Sequence, residues 1–542
     1  MTAPAANRRI FVIGGQHAEP LTGDAPTMGF KAYNLARMAA IGLPVPPAFV
    51  LATGYCRDYV KQEKKPSGEL RELLAANLRR VEAGSSLTFG GARKPMLVSV
   101  RSGAPVSMPG MMETMLNVGL TEATLRGLLR MTGNPRLVWD SYRRLVQSFA
   151  AVVHGVPARR FEAVLDEYLK RGGVARAHEL DGQLLAALAR DYLELHHELT
   201  GAEFPQDPLE QLDAAVRAVF RSWLTPRAVE YRRLHHIDEG VGTAVTVQRM
   251  VFGNAGGGSG SGVAFTRDPA TGENRLYLDF LFNAQGEDVV SGRHALHDSE
   301  QLGAVLPQVM QQILNVRHAL EAEFKDVQEF EFTIQDGKLY LLQTRTGKRT
   351  APAALRIAVE QVREGLITTE EALVRLQDVD LERIEEVHVA ADADAPVLCT
   401  ATSASVGVAT GAIALDVEAA KQMAKRQPVI LVRHDTTTDD IDGLAAASGL
   451  LTAVGGRTSH AAVVARQLNK VCLVGCAGLS IDVAGRSCRI GGRKFVEGDA
   501  LCLDANGGRV LAGRPKLVVA KPPEFLAEVE RWRGARAADA VA

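Results

Sequence analysis

The 542 residues carry 62 Lys and Arg against 63 Asp and Glu, a formal net charge of −1, and are 46% hydrophobic and 23% charged. A near-neutral chain of this size can bury several cores, predicts roughly three to five domains, and argues against nucleic acid or an anionic membrane as main partner, because those select a basic excess. No run of about 18 uncharged apolar residues occurs, and the start MTAPAANRRIFVIGG lacks the apolar core of a secretion signal, so the cytoplasm is the expected setting. Six cysteines are too few for a disulfide framework, and Cys472-Leu-Val-Gly-Cys476 has no second ligand pair, so buried reduced thiols are expected there.

In chain order, short apolar runs at Ile10 to Ile13, Pro47 to Leu51 and Met96 to Val100 predict strands, separated by turn-rich loops. From Glu122 to about Leu234, apolar residues recur at three and four spacing and predict helices. Strand signals return at Thr243 to Val251 and Gly262 to Thr266, on either side of the glycine-rich Gly253 to Gly262, which reads as a hairpin with a mobile tip. A second hairpin, Gln328 to Ile334 with Lys338 to Gln343, is turned by Gln335-Asp-Gly337. Two helical runs then lead to the Ala/Asp-rich Val387 to Pro396, read as a linker, and Val397 to about Gly513 alternates strands with helices. Past Arg514, a Pro522-Pro523 pair and a short charged helix read as a further linker and tail. The plan is multidomain α/β and α+β: a first domain over 1–347 with a helical insert at about 122–234, a helical segment and linker over 348–396, a compact domain over 397–513 and a tail over 514–542.

The chemistry is concentrated in a few loops. Gly455-Gly-Arg-Thr-Ser-His460 follows a predicted strand and precedes the helical run AAVVARQL, which puts His460 in a first helical turn with Thr458 or Ser459 as cap. The unpaired N–H groups and positive dipole end there suit an anion attached to the ring. An imidazole with an ordinary pKa of about 6.5 is nucleophilic near pH 7 and leaves readily once phosphorylated. A lone histidine more often caps or packs; the strand, Gly-Gly, Thr-Ser-His, helix context favours the carrier role.

Three further segments supply what a nucleotide polyphosphate needs: cations, a flexible backbone and hard oxygens. Lys31, in Gly29-Phe-Lys-Ala-Tyr-Asn-Leu35, opens a helix; taken alone it reads as an ordinary solvated lysine. Arg101 lies in Ser99-Val-Arg-Ser-Gly103, ahead of Ser107-Met-Pro-Gly-Met-Met-Glu-Thr114, and its planar fork suits bidentate phosphate contact. In the second hairpin, period two puts Glu329, Glu331, Gln343 and Arg345 on one face if the strands are regular, poor material for a core, with a solvated face as the even alternative.

These segments together resemble the pyruvate, phosphate dikinase family, and GGRTSHAAVVARQLNKVCLVGC resembles the phosphohistidine segment of phosphoenolpyruvate-utilising enzymes. The resemblance covers about Thr27 to Arg514. It implies an ATP-grasp nucleotide-binding region followed by a swivelling β/β/α phosphohistidine domain. His460 would be the phosphoryl carrier, with Lys31, Arg101 and Arg345 on the nucleotide phosphates. Glu331 and Gln343 would hold Mg2+, and Glu287, in Asn283-Ala-Gln-Gly-Glu-Asp-Val-Val290, would touch the ribose or adenine side of ATP. It implies a reaction taking ATP and phosphate to AMP and pyrophosphate through phosphorylated His460. Departures are Phe30 and Ala32 where the family has glycines, Glu329 where it commonly has aspartate, Val406 where it has proline, and Arg457 where it has methionine. The last brings extra charge that would hold phosphate or change the acceptor. The family continues into a (β/α)8 barrel of roughly 250 residues that binds pyruvate or phosphoenolpyruvate. Residues 515–542 are too few for one, so a separate barrel subunit is the expected partner. Transfer to another small molecule, or a nucleotide-binding regulatory or phosphocarrier subunit, are the alternatives.

Overall fold

The computed structural model describes residues 10–61, 68–106, 108, 114–174, 177–290, 296–435, 440–457 and 459–539. The chain divides into two compact units, 1–256 with 340–344, and 257–339 with 345–542.

The first unit is built on a five-stranded antiparallel sheet in the order Ile10–Ile13, Ala48–Leu51, Ala244–Arg249, Val98–Gly103, Thr114–Val118. Phe49, Val98, Val100 and Val247 are fully buried in it, the consequence of near-continuous apolar runs covered on both faces. Helices fill 122–234, as their spacing predicts. In Pro135–His154, Asn134 caps by accepting from Leu137 N, proline occupies the first turn, and Gly155 ends the helix in the left-handed region. Its Val138, Tyr142, Leu145, Val146 and Phe149 follow the three-and-four spacing and are buried in the unit's core.

The hairpin expected from Thr243–Val251 and Gly262–Thr266 does not form. Ala244–Arg249 lies between Ala48–Leu51 and Val98–Gly103, whereas Gly260–Phe265 lies between two strands of another sheet. Both strands are apolar enough to demand neighbours on each side, and the intervening glycines serve as a connection between sheets rather than a hairpin tip.

The second sheet runs Lys338–Thr346, Gln328–Gln335, Gly260–Phe265, Tyr277–Phe282. The predicted Asp-Gly turn is present, with Asp336 and Gly337 at φ of 50° and 74°, the mirror-image turn that matches strand twist. Arg267, at the end of Gly260–Phe265, is 0% exposed and meets Glu321, Glu360 and Glu364, tying that sheet to the helices Pro307–Phe324 and Ala351–Arg363.

Further along the second unit, an eight-stranded sheet runs Val397–Thr400, Arg509–Ala512, Ala500–Asp504, Val408–Ala414, Val429–Arg433, Gly449–Thr452, Val471–Val474, Thr402–Ser405. Its middle pairings, from Val408–Ala414 to Val471–Val474, are parallel and joined by helical crossovers, the last of which is His460–Gln467. Val387 to Pro396, read as a linker, begins as the strand Glu386–Val389, which pairs antiparallel with Leu517–Ala520. The segment read as a tail continues into the helix Pro523–Asp539, whose Val529 is buried among Leu355, Val359 and Leu376. No helix among the described residues is long and apolar enough to cross a membrane.

Candidate functional site

The second sheet concentrates the polar residues. Its register sets Glu329 opposite Phe265 and Phe265 opposite Tyr277; the next row on the same face is Glu331, Val263, Asp279. Directly opposed residues share a face, so two rows cross three strands spaced about 4.8 Å apart, one carrying the Glu329 carboxylate and the other those of Glu331 and Asp279. Arg345 Nη2 donates to Glu329 Oε1 at 2.6 Å, so those two share that face as period two requires. Burial alone would lower the Arg345 pKa; Glu329 beside it and Glu331 near it reverse this and hold the guanidinium charge firmly. The face is not simply solvated, since Glu329 is 6% exposed. Ser261 Oγ and Thr333 Oγ1 pair at 3.2 Å one row beyond. Glu287 lies in the short helix Gly286–Val290, exposed, just past the end of Tyr277–Phe282.

In the first unit, Lys31 and Arg101 are brought to neighbouring chain ends. Phe30 N donates to Ala104 O at 3.1 Å, joining the start of the lysine helix, Phe30–Ala40, to the end of the arginine strand, Val98–Gly103. Gly29 makes the approach possible: its φ is 77°, and a Cβ there would collide with the Gly103 carbonyl. Lys31 is exposed; Arg101 is half-buried, and its Nε is buried without a hydrogen-bond partner among the described residues. Gln343 is buried in 340–344, a stretch held to the same unit by Asn34 Nδ2 donating to Thr344 O at 3.1 Å and Leu341 N to Pro44 O at 2.8 Å. Of the methionine-rich run after Arg101, Ser107 and residues 109–113 lie outside the described residues.

His460 is the first residue of its helix, as the sequence predicts. Ser459 is the cap and its side chain accepts from Ala462 N; Thr458, the other capping candidate, lies outside the described residues, as does the His460 side chain. Arg466, on the same helix, is 2% exposed and donates through Nη1 to Arg457 O and Ala404 O, both at 2.9 Å, bracing the loop before the histidine. Without a proline at Val406, the opening turn is fixed from elsewhere: Gly407 N donates to Asn506 Oδ1 at 2.9 Å.

Sequence reading missed Tyr277, Asp279 and Arg466. The signal for the first two was present as period-two polar residues in an otherwise apolar strand, and for the third as a lone arginine on an apolar helix. Arg457, read as extra charge beside the histidine, has its guanidinium carbon 4.8 Å from the centre of the Tyr277 ring.

Residues 66–300 match the family model described as the AMP/ATP-binding domain of pyruvate phosphate dikinase, and residues 425–508 match the mobile domain of PEP-utilising enzymes. Among curated proteins the chain is 44% identical over 490 residues to the pyruvate, phosphate dikinase of Clostridium symbiosum, covering 90% of this chain and 56% of that one. It is 40% identical over 543 residues to that of Rhizobium meliloti (strain 1021), covering 97% and 60%, and 43% identical to that of Entamoeba histolytica, covering 90% and 56%. The chain thus spans rather more than half the length of the relatives it matches. Two family models in the expected order, with identity sustained over nearly all of its residues, place it: the chain belongs to the pyruvate, phosphate dikinase family, of which it carries the nucleotide-binding and mobile-domain portions.

Proposed function

We propose that this chain carries out the nucleotide half of a dikinase reaction, loading His460 from ATP through an ATP-grasp region and a swivelling histidine domain. A ring nitrogen of His460 attacks the β-phosphorus, the bond from that phosphorus to the α–β bridging oxygen breaks, and AMP leaves with the electron pair. Inorganic phosphate then attacks the terminal phosphorus, releasing pyrophosphate and leaving one phosphoryl group on His460. The acceptor, in this reading, is a pyruvate or phosphoenolpyruvate site on a barrel outside residues 1–542, and the setting is the cytoplasm, where six free thiols are stable.

The observation that supports this reading most is the polar face of the second sheet, with the histidine loop lying against its Tyr277–Phe282 edge. Lys31 and Arg101 would meet phosphate oxygens, and Arg345, kept charged by Glu329 and Glu331, would meet the terminal group. Magnesium, when bound, neutralises phosphate charge; Glu331 and Gln343 would hold it, a carboxylate and an amide that fit a hard ion. No group of three or more His, Cys, Asp or Glu able to hold a metal occurs among the described residues. Glu287 would face the nucleoside.

The test is incubation with magnesium and ATP labelled separately at the β and γ positions. Acid-labile β-label on the native chain and none on His460→Ala is the expected result. Absence of label from either position, with or without phosphate, would refute the transferase reading.

A further inference from the structure

The loop just before His460 rests on the nucleotide-side sheet through a small set of contacts. Arg457 lies over Tyr277, which is 3% exposed. Tyr277 Oη donates to Ser403 O, in the strand Thr402–Ser405 of the histidine domain, at 3.3 Å. Arg466 lies over Phe265, 5.4 Å from guanidinium carbon to ring centre, and Phe265 is the direct strand partner of Tyr277, with the two rings edge to face at 6.0 Å. The two guanidiniums of the histidine segment therefore cover two neighbouring rings of the nucleotide-side sheet. Gly456 lets the loop come this close: a Cβ there would meet Leu296 and stand 3.0 Å from Asp279 Oδ2. Among the described residues Arg466 Nε and Nη2 have no hydrogen-bond partner, so the Phe265 ring face is what offsets their burial.

We infer that Arg457 and Tyr277 form a latch that seats the histidine loop on the polar sheet face for loading, with Arg457 a positioning residue rather than a phosphate ligand. The inference rests on the phosphotransfer reading above. The face in question is the one that carries Glu329, Glu331 and Arg345, because the Tyr277 and Asp279 rows are continuous with theirs across Phe265 and Val263. A histidine that must be loaded and then leave needs a hold that is specific yet reversible. A desolvated cation–π contact supplies about two- to thirty-fold in an equilibrium, enough to bias a docked state without trapping it. A patch of several interdigitated leucines would hold far harder.

The test uses the full chain and two independent readouts. In single-turnover labelling from magnesium ATP, Arg457→Met and Tyr277→Leu are each expected to slow His460 labelling about tenfold with little change in ATP affinity. Tyr277→Phe, which keeps the ring, is expected to stay within about threefold, and Arg457→Lys to recover part of the loss. The double variant Arg457→Met with Tyr277→Leu should be no slower than the worse single one. Labelling at the native rate in both single variants, or losses that multiply in the double, would overturn the latch; the second outcome would return Arg457 to a separate role such as phosphate binding. Hydrogen exchange of the strand 277–282 and of the loop 455–457 is read without turnover. Faster exchange in both segments on Arg457→Met is expected, and unchanged exchange in both refutes the contact. A native chain that takes no label but shows this coupled exchange would refute the phosphotransfer reading while the docking contact stands.

Discussion

Arg345 shows how far single residues could be read in advance. Period two in Glu329-Phe-Glu331 and Gln343-Thr-Arg345 placed a cation with two carboxylates, and the 2.6 Å pair with Glu329 follows from that alone. Tyr277 was not legible in the same way, because a tyrosine in a strand is ordinary core material until its partner is known, and that partner lies 180 positions downstream at Arg457. The thiols illustrate the same limit. Five of the six cysteines are buried, as expected, but Cys399 is half-exposed and its sulfur stands 3.1 Å from that of Cys476. The hydrogen bond from Cys476 lowers the Cys399 pKa below its ordinary value of 9.0, overriding partial burial, which acts in the opposite direction. A lowered thiol pKa means that the reactive thiolate appears at lower pH. Alkylation of Cys399, followed by peptide mass spectrometry across pH, is therefore expected to reach half its maximal rate below pH 9. Cys476→Ala should move that midpoint up, and an unmoved midpoint would show that Cys476 does not set it.

At the scale of elements, the lysine helix explains how Phe30 and Ala32 are tolerated where glycines were expected. Ala32 is 1% exposed against the core, and Phe30 N is engaged by Ala104 O, so neither position is an open backbone approach. The close approach is made one residue earlier, by Gly29 against Gly103. Gly29→Ala adds a side chain at positive φ against an immovable carbonyl, and is expected to destabilise the first unit by at least ~2 kcal/mol, read as a lower denaturant midpoint. Because the same shift would displace Lys31, ATP affinity should fall with it; a variant with native stability and affinity would remove the helix start from the proposed site. The misread hairpin belongs to this scale too. Local pattern identified both Ala244–Arg249 and Gly260–Phe265 as strands, but sheet membership is decided by long-range pairing, and glycine-rich sequence is equally compatible with a turn and with a crossing.

For the whole molecule, the histidine domain leaves and returns through one place. The chain enters it from the helices Ala351–Arg363 and Thr369–Arg375 by way of Glu386–Val389, and exits through Leu517–Ala520, the antiparallel partner of that strand. Sequence marked both stretches as connections but could not show that they pair, since each alone carries too little apolar surface to announce a strand. The exit strand is then anchored: Pro523–Asp539 returns to the entry helices, with Val529 buried among Leu355, Val359 and Leu376, and Arg363 bonded to Glu524 at 2.8 Å and Glu528 at 2.5 Å. A two-stranded ribbon is marginal by itself, so its persistence as a joint depends on what holds it: the helices at its base and the packing of Val387, Val389 and Leu517 against Val408, Cys502 and Leu511 of the sheet. Val529→Asp puts a carboxylate into that apolar cluster, which is expected to undock the last helix at ~3 kcal/mol. Hydrogen exchange should then quicken in 351–375, 386–389 and 517–535 together, while the eight-stranded sheet of the histidine domain, whose two larger core clusters contain no residue of the ribbon or of the helices at its base, keeps its protection. If the ribbon strands stayed protected while the helix exchanged freely, their packing on the sheet would suffice to hold them and the base would not govern the joint. If the sheet lost protection as well, the domain would depend on its base for folding and could not move as a body.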